Sequence, residues 1–280
     1  FIFVVSASSV FAAKGVADVR VAFDRSVYTS DDGIFVRVSI SNPNKGAIRI
    51  LRWMTPVDGV NDDIFRVSID GVEAEYTGRH YKRPAITDKD FIVLRGGESI
   101  ESTIDLAGYY DLSRTGYYEV SFRAESFNLF TKDAVYISEE DALVSPTEVA
   151  WINGRETKLP TPPVDSVVGS TSFSGCTASR QSDLNNARNN ALTYSTNSFN
   201  YLQAGTVGSR YTTWFGSYTS SRYNTVRSHF SSITSAMDNA SVTFNCGCTD
   251  SAYAYVYSNQ PYTIYLCNAF WTAPAQGTDS

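Results

Sequence analysis

The sequence predicts a multi-domain chain, all-β in its first half and α+β in its last third. Three observations carry this: short apolar runs alternate residue by residue from Val16 to about Ile137, apolar residues recur at helical spacing from Leu184 to Met237, and a proline-rich stretch between them loses both periods. The chain has 280 residues. Setting aside an apolar leader, roughly 265 remain, enough for two domains by the usual size of a folding unit.

The leader is Phe1 to Ala13, an apolar run ending in small residues, with Val10 and Ala12 at the third and first positions before an expected signal-peptidase cut. Residues 1–13 are therefore expected to be a signal peptide, and the lack of an initiating methionine or basic leader suggests a truncated start. The run is shorter than the roughly 20 apolar residues that a membrane-spanning helix needs.

Residues 14–145 are expected to form a β-sandwich. Val19, Val21 and Phe23 alternate with polar neighbours, as does the run from Phe35 or Val36 through Val38 and Ile40, then Phe65, Val67 and Ile69, then Tyr118, Val120 and Phe122. Asp70-Gly71 is a hairpin turn signal because both residues tolerate positive φ. Gly116-Tyr117-Tyr118, preceded by Tyr110-Asp111-Leu112-Ser113, looks like a corner where a tyrosine pins the entry to a late strand, which makes the expected sandwich immunoglobulin-like. Tyr109, Tyr110, Tyr117 and Tyr118 could instead present a carbohydrate-binding face, but core and turn roles are the commoner use of such tyrosines.

Residues 146–170, with Pro146, Pro160, Pro162 and Pro163, read as a linker. Lys158 within it is the candidate site for processing that would remove the first domain. Beyond the linker neither lysine nor glutamate occurs, which would suit an enzyme that cuts at lysine and must spare itself; a charge-poor surface is the plainer explanation. In residues 171–280, Leu184, Ala187, Arg188, Ala191, Leu192, Ser195, Phe199 and Leu202 predict one helix, which Thr177 or Ser179 could cap. Val226, Phe230, Ile233 and Met237 predict a second from about Ser220. Runs at Val242–Phe244, Tyr253–Tyr257 and Tyr262–Leu266, rich in aromatic and β-branched residues, predict short strands.

A net charge of -6 excludes nucleic acid as an expected partner, since phosphate neutralisation needs a clustered basic surface. All four cysteines, Cys176, Cys246, Cys248 and Cys267, fall in this last third. In an exported chain an even number reads as two disulfides, and the Cys-Gly-Cys pair is too close to bridge itself without strain. Spacing does not choose among the connectivities, and zinc ligation is the competing use of paired thiols, although structural zinc sites leave two to four residues between them.

The text from Phe173-Ser174-Gly175-Cys176 onward resembles the peptidyl-lysine metalloendopeptidases, the deuterolysin-like or aspzincin group of secreted proteases. The likeness is densest in Arg210-Tyr211-Thr212-Thr213-Trp214-Phe215-Gly216-Ser217-Tyr218 and continues through Cys246-Gly247-Cys248-Thr249, Ala254–Tyr257 and Ile264–Trp271 to Asp279-Ser280. It implies disulfides Cys176–Cys246 and Cys248–Cys267. It also implies that 171–280 is the N-terminal half of a zincin-like catalytic domain, truncated here.

That family holds zinc with a His-Glu-x-x-His helix and a later aspartate, the glutamate acting on the bound water. The chain's two histidines, His80 and His229, do not form that motif, so the expectation is a precursor fragment that binds no zinc and is inactive as given, the full-length enzyme carrying zinc and cutting polypeptides at lysine. Asp279 reads as a residue that starts the missing helix rather than a ligand. Asn268 and Ala269, with Phe270 and Trp271, are candidate members of a substrate-binding edge strand, the alternative being a strand with aromatic core residues beside a disulfide. His229 reads as a structural or surface imidazole, and Asn239-Ala240-Ser241 is a glycosylation sequon. The expected protein is secreted and monomeric, without membrane or nucleic-acid partners. The alternative function is a secreted non-enzymatic protein used for binding, adhesion or inhibition.

Overall fold

The structure, a computed structural model, describes residues 16–130, 142–155 and 169–273. The expected signal segment 1–13, Lys158 and Asp279 lie outside the described residues. Two compact units emerge: one comprises Phe1–His80 and Ile86–Leu159, the other Tyr81–Ala85 and Pro160–Ser280.

The strands in chain order are β1 (Asp18–Phe23), β2 (Val27–Tyr28), β3 (Phe35–Ser41), β4 (Ile48–Leu51), β5 (Phe65–Ile69), β6 (Val72–Glu73), β7 (Arg79–Lys82), β8 (Phe91–Leu94), β9 (Ser99–Asp105), β10 (Gly116–Glu125), β11 (Ala142–Val144), β12 (Glu148–Ile152), β13 (Thr171–Ser174), β14 (Val242–Asn245), β15 (Ala254–Tyr257) and β16 (Thr263–Leu266). The helices are α1 (Ala178–Gln203), α2 (Ser209–Phe215) and α3 (Ser220–Asn239).

The first unit is all-β. One sheet runs β1-β3-β9 and a second runs β2-β12-β10-β5-β6, with β11 also on β10 and β4-β8 as a separate pair. The period-two pattern decides which residues share the core: Val19 and Val21, Val36, Val38 and Ile40, Phe65, Val67 and Ile69, and Tyr118, Val120 and Phe122 are all buried in one cluster. β1 packs against β10, β11 and β12, so the two sheets face each other across that cluster. Asp70 (φ 53°) and Gly71 (φ 75°) form the left-handed pair of the tight turn joining β5 to β6. The Tyr118 hydroxyl donates to the Arg114 carbonyl at 2.9 Å, pinning the start of β10 to the turn before it.

Two boundaries differ from the sequence reading. The expected linker 146–170 contains β12, which pairs with β10 in antiparallel register from Gly116↔Ile152 to Val120↔Glu148 and with β2 in parallel. The prolines flank this strand rather than interrupt it, and a strand needs only five residues of suitable pattern. Tyr81–Ala85, expected inside the 14–145 domain, belongs to the second unit. Periodicity identifies a strand but not the sheet it joins.

The second unit is α+β. Its sheet has the order β13-β14-β16-β15-β7, with β13, β14 and β16 parallel to one another and β15 antiparallel to β16. A parallel pair needs a long crossover, and α1, α2 and α3 lie between β13 and β14 in the chain. Leu184 of α1 buries itself against Val242, Phe244 and Leu266, the sheet's inward residues. Thr177 and Thr219 cap α1 and α3 through the amides of Arg180 and Arg222. The helix α2 and the strand β13 are too short for a period to announce them, and neither was expected. Asn268–Thr272, expected as a strand, is a 3-10 helix. Here Asn268 and Ala269 direct their amides to the Asp250 and Ala252 carbonyls, and Phe270 directs its amide back to Cys267, which coils the segment.

Candidate functional site

The sheet of the second unit is tied to its surroundings by two disulfides and by the hydrogen bonds of one guanidinium. Cys176–Cys246 joins the residue before the α1 cap to the residue after β14, and Cys248–Cys267 joins the loop before β15 to the residue after β16. The two members of Cys-Gly-Cys thus reach separate partners. Arg188 on α1 is spread over four acceptors, with distances of 2.9 Å to the Ser170 carbonyl, 2.5 Å to Thr171 Oγ1, 3.4 Å to the Met237 carbonyl and 2.7 Å to the Ala240 carbonyl. The last two acceptors lie at the C-terminal end of α3, where carbonyls are unpaired and a cation is favoured.

At its other end the sheet runs through β15 to β7. Tyr255 stacks on Tyr265 across the β15–β16 pair with centroids 4.6 Å apart and planes 3° from parallel. Tyr81 packs on Tyr255 at 5.3 Å, and its hydroxyl donates to Asp250 Oδ2 at 2.8 Å. The Tyr253 amide donates to the Lys82 carbonyl at 2.9 Å, so residues 81 and 82 continue the sheet beyond β15. On the face that carries α1, a hollow of about 490 Å³ is lined by Leu184, Ala191, Phe244, Ile264, Leu266 and Lys82. A second hollow of about 570 Å³ lies between α1, α2 and α3, bordered by Tyr194, Tyr201, Arg210, Trp214 and Phe230. Buried Tyr223 of α3 donates its hydroxyl to the Leu202 carbonyl at 2.7 Å, and burial pushes its phenol above the ordinary value.

The family model for lysine-specific metallo-endopeptidases matches residues 200–280. The chain is 36% identical to an extracellular protease of Aeromonas hydrophila over 259 residues, 90% of this chain and 74% of that protein. It is 32% identical to a peptidyl-Lys metalloendopeptidase of Armillaria mellea over 269 residues, covering 89% of this chain and 73% of that protein. The chain belongs to the aspzincin family of lysine-specific metallo-endopeptidases. Among solved structures, a zinc peptidase from Grifola frondosa matches 38% of this chain and 65% of its own at 50% identity, with a TM-score of 0.35.

Within this aspzincin chain the residues singled out from sequence do not converge. The four cysteines pair as the family resemblance implies. Asn268 and Ala269 lie in a 3-10 turn, their amides are taken by the Asp250 and Ala252 carbonyls, and the Asn268 side chain donates to the Thr249 carbonyl at 2.7 Å. Trp271 lies under the Arg180 guanidinium, 4.0 Å from the ring centre. Asn239 is exposed at the end of α3, where its amide donates to the Ser235 carbonyl at 3.1 Å.

The residues described do not fit a zinc cradle. Cys248, Asp250 and Cys267 bring ligand atoms within 4.8 Å of one another, but both sulfurs are spent in one disulfide and only a carboxylate is left to bind. His80 belongs to the first unit, where it meets Tyr76 edge-on, and His229 is exposed on α3 in the second. What sequence reasoning missed is the pair Tyr81 and Lys82. The one signal available was an aromatic and a basic residue in strand-like text closed by Pro84.

Proposed function

We propose that the chain carries the pro-domain and the first part of the catalytic domain of a secreted, lysine-selective zinc endopeptidase acting on polypeptides. One observation carries this: the likeness to proteins named as proteases extends over nine-tenths of the chain and through both units, rather than over the second unit alone. The first unit is an immunoglobulin-like sandwich in this reading, supported by its two facing sheets and the Tyr118 pin. The second unit is the sheet-and-helix half of a zincin-like domain, monomeric in solution, with Lys158 as the processing site between them. Export is supported by both disulfides, which persist outside the reducing cytosol. No helix among the described residues is long and apolar enough to cross a membrane.

Zinc chemistry is assigned to the family and not to these residues. The 280 residues contain two histidines, which the fold keeps in different units, so the chain as given is expected to bind no zinc stoichiometrically and to cut no peptide. Metal content by mass spectrometry and hydrolysis of a single-lysine peptide test that expectation directly. Reading the gene beyond the Ser280 codon tests the larger proposal. A frame running into His-Glu-x-x-His supports the protease precursor, and an immediate stop codon overturns it in favour of a non-enzymatic binding, adhesion or inhibitor protein.

A further inference from the structure

The second unit, as the chain folds, contains one lysine. Residues 160–280 have none, and the single ammonium is Lys82, brought in by a five-residue excursion, Tyr81–Ala85, whose flanking chain belongs to the first unit. We propose that Tyr81–Ala85 is a built-in substrate mimic: it occupies the β15 edge that would otherwise accept an extended, lysine-bearing polypeptide, and so holds the peptidase latent. The inference rests on the protease reading given above.

Four features support it. An edge strand exposes a row of unpaired amides and carbonyls that an extended peptide can join, and the excursion joins it through the Tyr253 amide and the Lys82 carbonyl. Consecutive strand residues point to opposite faces, so Tyr81 lies with Tyr255, Asp250 and the Cys248–Cys267 disulfide while Lys82 lines the hollow beside α1. Pro84 has no amide hydrogen and ends the pairing, and the Arg83 guanidinium folds back over the Tyr81 ring at 4.3 Å. Only Tyr81 and Lys82 of the four β7 residues belong to this unit, whereas β13, β14, β15 and β16 each contribute four. The excursion is a short guest that docks through its backbone and through the Tyr81 ring. Its tether keeps it bound, because a linked segment competes at an effective concentration of about a millimolar.

Displacement of the guest in the 280-residue chain tests this. The probes are a fluorescein-labelled peptide copying residues 79–85 and the same peptide with glutamate in place of its lysine. In wild type the edge is filled and the lysine peptide binds weakly by fluorescence anisotropy. Tyr81→Ala, which removes the ring contact and the Asp250 bond, is expected to bind the lysine peptide at least tenfold more tightly than wild type, and more tightly than the glutamate peptide. Hydrogen exchange at the Tyr253 amide should rise at least tenfold in this variant and fall again when the lysine peptide is added. Should Tyr81→Ala not fold, Tyr81→Phe keeps the ring and loses only the hydroxyl, with both readouts expected to change about threefold. Equal binding by wild type and variant, equal binding of the two peptides, or unchanged exchange at Tyr253 would overturn the proposal. Hydrolysis is not read, so a chain without peptidase activity leaves this result intact and refutes only the functional reading.

Discussion

Single hydroxyls and carboxylates hold the turns of the first unit. Tyr110 is buried, donates to Asp63 Oδ1 at 2.7 Å and accepts from the Phe65 amide at 3.1 Å, so burial pushes its phenol far up. Tyr110→Phe strands that amide as well as losing a bond to a charged group, and is expected to cost about 2 kcal/mol in urea unfolding. Tyr118→Phe loses one neutral bond, to Arg114, and should cost about 1 kcal/mol. Asp32 has the opposite pH behaviour from these phenols: the Thr29 amide at 2.7 Å and the Thr29 hydroxyl at 2.9 Å hold its carboxyl below the usual value, with Arg25 adding to the effect. Its folded-state pKa lies below its unfolded one, so its stabilisation is present above the unfolded value and disappears as pH falls through the folded one. Asp32→Asn should therefore be less stable than wild type at pH 7, and urea titrations at successively lower pH should find the gap closing.

At the scale of elements, Arg188 joins the entry of β13, the middle of α1 and the end of α3. Arg188→Met keeps the apolar stem and removes every bond to the four acceptors, and is expected to cost about 3 kcal/mol by loss of helical signal in denaturant. Arg188→Lys should recover only part of this, because an ammonium cannot reproduce the planar fork. The same elements mark what the sequence could reveal. Strands β1, β3, β5 and β10 were legible because each buries alternate residues, and α1 and α3 because each spans several turns with a threonine before it. The helix α2 was not legible, since its seven residues give under two turns of signal and Gly216, at φ 73°, ends it. Nor was the turn at Asn268–Thr272, whose apolar text fits strand or coil until the carbonyls of Asp250 and Ala252 claim its amides. The Tyr81 site depends on a partner 169 residues away, a distance over which periodicity is silent.

For the molecule as a whole, disulfides and α-helices are confined to the second unit among the described residues. Cys176–Cys246 closes a separation of 70 residues and Cys248–Cys267 one of 19. Loop-closure entropy assigns these crosslinks about 4 and about 3 kcal/mol respectively. Paired cysteine-to-serine replacements should rank in that order in thermal unfolding followed at 222 nm, a signal that reports the helices and hence the second unit. Reversed ranking would mean that native contacts, rather than unfolded-chain freedom, set the value of each bond. The lone ammonium of the second unit has a practical use as well. With the lysines of the first unit replaced by arginine, an amine-acylating dye would mark a single side chain, Lys82 Nζ, and its colour and lifetime would record whether the guest segment leaves the edge.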